Sequence, residues 1–339
     1  MERLERRKDE QLEINSTRDV NSGITTGFEN YFFIHQALPD ANLEEISTSS
    51  VFMNHPLKIP LLISSMTGGT EKGELINRRL AEAAQQAGIA MGVGSQRAEL
   101  ENPASQDRSS LRAYAPDIPI FANLGAIQLN YGYTVAECKR AVEIAGADAL
   151  ILHLNPLQES LQPEGQTNFE GLAERIGLVC KQMSVPVIVK EVGWGISAAT
   201  AKLLIELGVA AIDVAGAGGT SWSEVEKYRS QDQIHFEIAE TFKNWGIPTA
   251  ECVKEVRSAL PGIPLIASGG VHSGLDLAKS IALGADLAGI ARPFLLAAQQ
   301  STEAVISKIE QLKRELMITM FVAGARDISS LSNLTLRRR

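Results

Sequence analysis

Cysteine is scarce in this chain, long apolar runs are missing, and there is no excess of basic charge. Among 339 residues stand only three cysteines, Cys138, Cys180 and Cys252. They are odd in number and widely spaced, which argues against a disulfide framework or a zinc site and for packing residues. No apolar stretch approaches the roughly 18 residues of a membrane span. The opening MERLERRKDEQLEI is charged where a secretory signal would be apolar. A cytoplasmic protein without a membrane partner is expected. The net charge is −8, and the run Arg337, Arg338, Arg339 is too short to form a basic stripe. No nucleic-acid partner is expected, and the run reads as a solvated end.

What is present is a repeating grammar. From about Pro60, short apolar or β-branched runs alternate with amphipathic stretches, the pattern of βα units around a parallel sheet. Eight strands are expected, at Leu61 to Ser64, Ile89 to Gly92, Ile118 to Ala122, Ala149 to Leu152, Val187 to Val189, Ala211 to Val214, Leu265 to Ala267 and Leu287 to Ile290. Between them apolar residues recur at helical spacing in Gly73 to Ala87, Val135 to Ala145, Gly171 to Met183 and Ala198 to Leu207. The segments AGADAL, LGVAAID and LGADLAG repeat one rule: a helix stops at Gly and the next strand begins. Eight units point to the α/β class and a closed (β/α)8 TIM barrel, a fold of about 250 residues before extensions. The expected division is an N-terminal arm over 1–55, the barrel over 56–300, and a C-terminal helix and tail over 301–339. FENYFFIHQALPDANLEEI reads as an extended arm turning at Pro39 and Asp40, over the barrel or a neighbour. Ser301 to Val322 reads as a helix capped by Thr302 with Glu303. Gly216 to Gln233 reads as a long polar loop, either a lid or a disordered connection.

Residues just beyond the strands converge on one mouth in such a barrel, so their chemistry carries the functional reading. The last two units, IPLIASGGVHSGLDLAKSIALGADLAGIARPF, place Gly269 and Gly270 after strand 7 and Arg292 after strand 8. Ser273 stands at the N-cap of a helix running to about Leu283. This is the pattern of a barrel phosphate site, although the glycines would also serve a plain tight turn. The other strand ends are polar as well: Ser65, Met66, Thr67; Ser95, Gln96, Arg97; Asn123; His153, Asn155, Gln158, Glu159; Lys190, Glu191; Thr220. Lys190 directly follows the buried run PVIV, where an ammonium needs an anionic ligand or an internal partner such as Glu191 or Asp213. Glu159 beside a bound diphosphate would suit Mg²⁺, which takes one or two carboxylates plus phosphate oxygens. Alone, it could equally be an acid at a helix start, and His153 a satisfied core histidine. Arg7 and Lys8 could form an ordinary solvated helix face.

With these residues in view, nearly the whole chain resembles the type 2 isopentenyl diphosphate isomerases, the FMN-dependent barrel family. The ordered segments RKDEQL, SSMTGG, MGVGSQR, ANLGAIQL, LHLNPLQE, VIVKEVGWGIS, DVAGAGGTSW, SGGVHSG and GIARP carry the resemblance. Departures fall at Trp194, where VGFG is usual, and at Val271 and His272, where many relatives place an Arg nearby. The resemblance implies FMN contacts at Ser65, Met66, Thr67, Ser95, Asn123, Lys190, Thr220, Gly269, Gly270, Ala291 and Arg292. It implies substrate contacts at Arg7, Lys8, Ser95, Gln96, Arg97, His153, Asn155 and Gln158, a catalytic role for Gln158, and a magnesium ligand at Glu159. It further implies reduced FMN with NADPH as reductant, isopentenyl and dimethylallyl diphosphate as substrates, and a homo-oligomer, tetramer or octamer.

Other classes with similar phosphate sites fit less well. An FMN α-hydroxy-acid oxidase would need a His base and paired arginines, and the chain offers His272 and Arg292 without a HisGlyGlyArg-like arrangement. IMP-dehydrogenase-like barrels need a nucleophilic Cys after strand 6, and AGAGGTSWS at 215–223 has none. A binding protein without catalysis would have no use for both a metal carboxylate and a polar lid.

Overall fold

A computed structural model describes residues 2–66, 68, 70–101 and 111–339. Its centre is a closed barrel of eight parallel strands. They are β1 (Leu61–Ile63), β2 (Ala90–Gly92), β3 (Ile120–Gly125), β4 (Ala149–His153), β5 (Val187–Lys190), β6 (Ala211–Asp213), β7 (Leu265–Ser268) and β8 (Leu287–Ile290). β8 closes on β1 through Gly289 opposite Leu62. The strands read as continuous apolar runs because both of their faces are covered. Inside the barrel sit Leu62, Ala90, Phe121, Ile151, Ile188, Ala211, Ile266 and Leu287, while Leu61 and Ile63 belong to the outer layer under the helices. This is the two-residue alternation of a strand at work. The expected (β/α)8 barrel is therefore the observed fold, with every strand within a few residues of its expected place.

The bottom of the barrel is stoppered by a hairpin, Ser50–Phe52 paired with His55–Leu57. Met53 and Asn54 turn it with φ of 47° and 67°, the left-handed pair of a two-residue turn. Phe52 and Leu57 join the interior cluster, and the Phe52 ring lies 6.3 Å from that of Phe121. The N-terminal arm begins with a helix, Glu2–Thr17. Tyr31–Phe32 then pairs with Arg337–Arg338, whose backbone forms a short ladder while both residues stay exposed, as a solvated end implies.

Two expectations are revised. Ser301, not Thr302, caps the helix Thr302–Ala323, accepting the N–H of Ala304 at 3.2 Å, while the Thr302 hydroxyl donates to Glu82. That helix packs on Glu71–Ala87, Gly274–Ala282 and Arg292–Gln300. The segment read as a long polar loop holds the helix Trp222–Arg229, with Ser223, Glu224, Val225, Glu226 and Lys227 buried. Its polar look misleads because its buried charges are paired. Lys227 donates to Glu224 and Glu240 at 2.5 and 2.6 Å, and Arg229 bonds Glu226 and Glu164.

Candidate active site

One cavity opens at the C-terminal ends of the strands. Its wall includes Arg7, Lys8, Ser65, Met66, Ser95, Arg97, Asn123, His153, Asn155, Gln158, Glu159, Lys190, Thr220, Gly269, Gly270, Ala291 and Arg292. The sequence-derived set is thus brought together, apart from two members. Thr67 lies outside the described residues. Gln96 is buried and turned away from the cavity, its amide donating to the Ala141 carbonyl at 2.9 Å while its oxygen accepts the Asn123 N–H at 3.1 Å. It supports Asn123 from behind.

Asn123, within β3, sets the ring of His153 on β4. The Asn123 amide donates to the Val93 carbonyl at 3.1 Å, so its oxygen accepts from His153 Nδ1 at 2.9 Å. The network assigns the proton to Nδ1 and leaves Nε2 with a lone pair. Burial, then Lys190 and Arg7, push the imidazole down to a pKa of about 3, so it is neutral near pH 7.

Beyond β4 the chain starts the short helix Pro156–Leu161 with proline in its first turn, where a missing N–H costs nothing. It presents Gln158 and Glu159. The Glu159 carboxylate accepts from Asn155 at 2.8 Å, from Gln162 at 2.6 Å and from the Gln166 N–H at 2.6 Å, all neutral donors. Gln158 is held between Asn155 and Glu226: its oxygen accepts from Asn155 at 3.1 Å, and its amide donates to Glu226 at 3.2 Å. Burial pushes the Glu226 carboxyl up, against the pull of Arg229 and of the Gln158 and Gln11 amides.

The N-terminal helix covers this side of the mouth. Arg7, Gln11 and Asn15 recur every four residues and all face the cavity, as do Lys8 and Leu12. Lys8 donates to the Ser95 carbonyl at 2.9 Å. Arg7 carries a buried Nε without a partner, and burial together with neighbouring Arg97 lowers its pKa against the pull of Glu164 and Glu159. Cations crowded this way, with a spare donor, are chemically suited to an anion.

The opposite side belongs to β5 through β8 and β1. Lys190 is buried and donates to the Glu191 carbonyl at 2.6 Å. The expected Glu191 partnership is thus through backbone, because the Glu191 carboxylate is occupied by the N–H groups of Val192, Gly193 and Trp194. Gly269 and Gly270 have φ of 99° and 74°, and a Cβ on either would fall 2.0 and 2.4 Å from the carbonyl oxygens of Gly216 and Gly218. Only glycine permits that approach. The Arg292 guanidinium turns to the N-terminal segment, donating to the carbonyls of Asn15 and Arg18 and to the Asn21 side chain at 3.0 to 3.1 Å. The hydroxyls of Ser64 and Ser65 and the Oδ2 of Asp213 are buried without partners in this region.

Sequence reading missed Glu226, Arg229 and Gln11. Gln11 was detectable from its four-residue spacing from Arg7. Glu226 and Arg229 were hidden by the loop reading of their helix. Among the described residues there is no cluster of three or more His, Cys, Asp or Glu suited to a metal, and no helix is long and apolar enough to cross a membrane.

A sequence profile of FMN-dependent dehydrogenases matches residues 158–338. The chain is 51% identical to an isopentenyl-diphosphate delta-isomerase of Rickettsia bellii, over 98% of this chain and 97% of that protein. It is 54% identical to the protein of the same name from a Synechococcus, over 97% and 94%. Among solved structures, a putative lactate oxidase of Pediococcus acidilactici aligns with a TM-score of 0.69 at 20% identity, over 97% of this chain and 86% of that one. A mandelate oxidase variant aligns at 0.68 and 20%, over 99% and 98%, and at such identity the likeness concerns the fold. On near-full-length identity of about half, the chain belongs to the type 2 isopentenyl-diphosphate delta-isomerases, FMN-dependent barrel enzymes.

Proposed function

We propose that this isomerase interconverts isopentenyl and dimethylallyl diphosphate by a 1,3-allylic proton shift, using reduced FMN, Mg²⁺ and an external reductant such as NADPH. The observation that carries the reading is a single cavity with two differently built ends: a glycine-turned, Lys190-bearing side and a cationic side with one neutral-bonded carboxylate. The donors fit a flavin phosphate and ring. The Gly269–Gly270 turn and the start of the helix Arg292–Gln300 offer backbone N–H groups to a phosphate. Ser64 and Ser65 leave buried hydroxyls in want of a partner. Ser65, Met66, Thr67, Ser95, Asn123, Lys190, Thr220, Gly269, Gly270, Ala291 and Arg292 are proposed to hold FMN. When bound and reduced, the flavin supplies the group that adds a proton at one end of the alkene and takes one from the other.

The chain's own share is placement. A hydrocarbon tail offers no polar handle, so the diphosphate must anchor the substrate, and Arg7, Lys8, Ser95 and Arg97 are proposed to grip it. Glu159 would hold Mg²⁺, which would neutralise the diphosphate; a lone carboxylate fits an ion whose other ligands are phosphate oxygens and waters. His153, neutral and with Nε2 bare, accepts hydrogen bonds without adding charge beside Arg7. Asn155 and Gln158 face the reacting end. Gln158 does not titrate near neutral pH, so it orients substrate or passes a proton to or from Glu226, the ionisable group behind it.

An oxidase would hold its substrate carboxylate with a free guanidinium, and here that of Arg292 is occupied by the N-terminal segment. The proposal places the enzyme in the cytoplasm as a homo-oligomer, tetramer or octamer, with no nucleic-acid partner. An anaerobic assay omitting FMN, Mg²⁺ or NADPH in turn tests the chemistry. Solvent deuterium entering the product without net oxidation is expected; activity undiminished by any omission overturns it.

A further inference from the structure

Lys190 sits between two strand neighbours in register, His153 on β4 and Asp213 on β6. Register partners in a parallel sheet direct their side chains to the same face. Lys190 lines the cavity, and Asp213 lies beside it with 0% exposure. Asp213 Oδ1 accepts from the Ser268 hydroxyl at 2.6 Å and from the Ala215 N–H at 3.3 Å, while Oδ2 is buried without a partner. A buried carboxylate with an idle oxygen is costly unless an opposite charge stands close. An ammonium has three donors, and the Glu191 carbonyl takes one from Lys190 at 2.6 Å.

We propose that Asp213 is a positioning residue for the flavin end of the cavity, its carboxylate, tethered by Ser268, keeping the Lys190 ammonium charged and oriented toward the bound cofactor. This rests on the flavin reading above. The other groups facing Lys190 do not compete for the role. His153 is neutral, and the Glu191 carboxylate is spent on three backbone N–H groups at 2.6 to 2.7 Å. Burial lowers the pKa of Lys190, and Asp213 leads Glu191 in raising it again. Reciprocally, burial raises Asp213 and Lys190 draws it down.

The test is an alkaline titration of the flavin absorption spectrum in the holoenzyme, with the Lys190 step identified by its loss in Lys190→Met. In Asp213→Asn the ammonium loses its favourable neighbour and deprotonates more easily, so the midpoint should fall by about one to three pH units. Asp213→Glu should restore most of the shift, which a merely structural defect would not allow. An Asp213→Asn midpoint equal to wild type overturns the proposal. Should Asp213→Asn not fold, apoprotein carrying ¹³C-carboxyl aspartate is titrated with and without Lys190→Met. One aspartate midpoint should rise in the variant, and no change overturns the proposal. A protein that takes up no FMN would defeat the flavin reading, while the apoprotein titration still decides the Lys190–Asp213 coupling.

Discussion

At the residue scale, the chemistry depends on a few groups whose charge is set by their surroundings. Glu159→Gln keeps the shape of a side chain held by Asn155, Gln162 and Gln166 but removes its charge. Mg²⁺-dependent substrate binding should weaken by at least about tenfold, the loss seen even for outer-shell metal partners. FMN absorbance should be unchanged, and wild-type activity at limiting Mg²⁺ would exclude the ligand role. His153 makes a pH prediction. Its pKa is about 3 in the fold against 6.5 in the free side chain. Below that free value the unfolded chain binds a proton that the folded protein refuses, so stability falls as pH drops, by up to about 1.4 kcal/mol per unit. Glu191 acts oppositely: raised to about 7, it takes up a proton in the fold before the unfolded chain does. Comparing wild type with His153→Gln by urea unfolding at about pH 6 and about pH 5 isolates the histidine; parallel stabilities at both would refute its suppressed titration. These residues were legible because polar side chains at successive strand ends stand out against apolar runs. Gln96 was legible as polar but not in its direction, which depends on the Ala141 carbonyl of a helix far along the chain.

At the element scale, the helix Trp222–Arg229 is held by ion pairs that sequence cannot reveal. Glu226 has 0% side-chain exposure and shares Arg229 with Glu164. Arg229→Met strands that carboxylate and should cost about 3 to 5 kcal/mol. Adding Glu226→Gln should recover much of the loss in a double-mutant cycle, and strictly additive effects would show that the pair does not interact. The stretch looked like a loop because charge usually marks solvent. Its partners Glu10, Gln11, Glu164 and Glu240 come from other elements, so only the assembled fold identifies it as a packed helix. The opposite case is Val135–Ala145, whose start at Thr134 with a Glu137 capping box and stop at Gly146 are local signals, and its expected bounds are those observed.

At the scale of the whole molecule, the barrel separates its tasks. The hairpin that stoppers the bottom lies at the other end from the cavity. Phe52→Ala opens a hole beside Phe121 and should cost about 3 to 5 kcal/mol in urea unfolding. The flavin spectrum and turnover of the surviving folded enzyme should not change; altered turnover would show that the two ends are not independent. The barrel was the most legible level because eight repetitions of one apolar pattern reinforce each other. The stopper was not, since a short hairpin gains its place only from the ring it fills. One contact also joins segments far apart in the sequence: Arg292, at the rim of the last strand, clasps the carbonyls of Asn15 and Arg18. Whatever loads the rim therefore also cinches the segment above it. An emptied enzyme should surrender that segment to trypsin sooner than a filled one, making the cleavage pattern a gauge of occupancy.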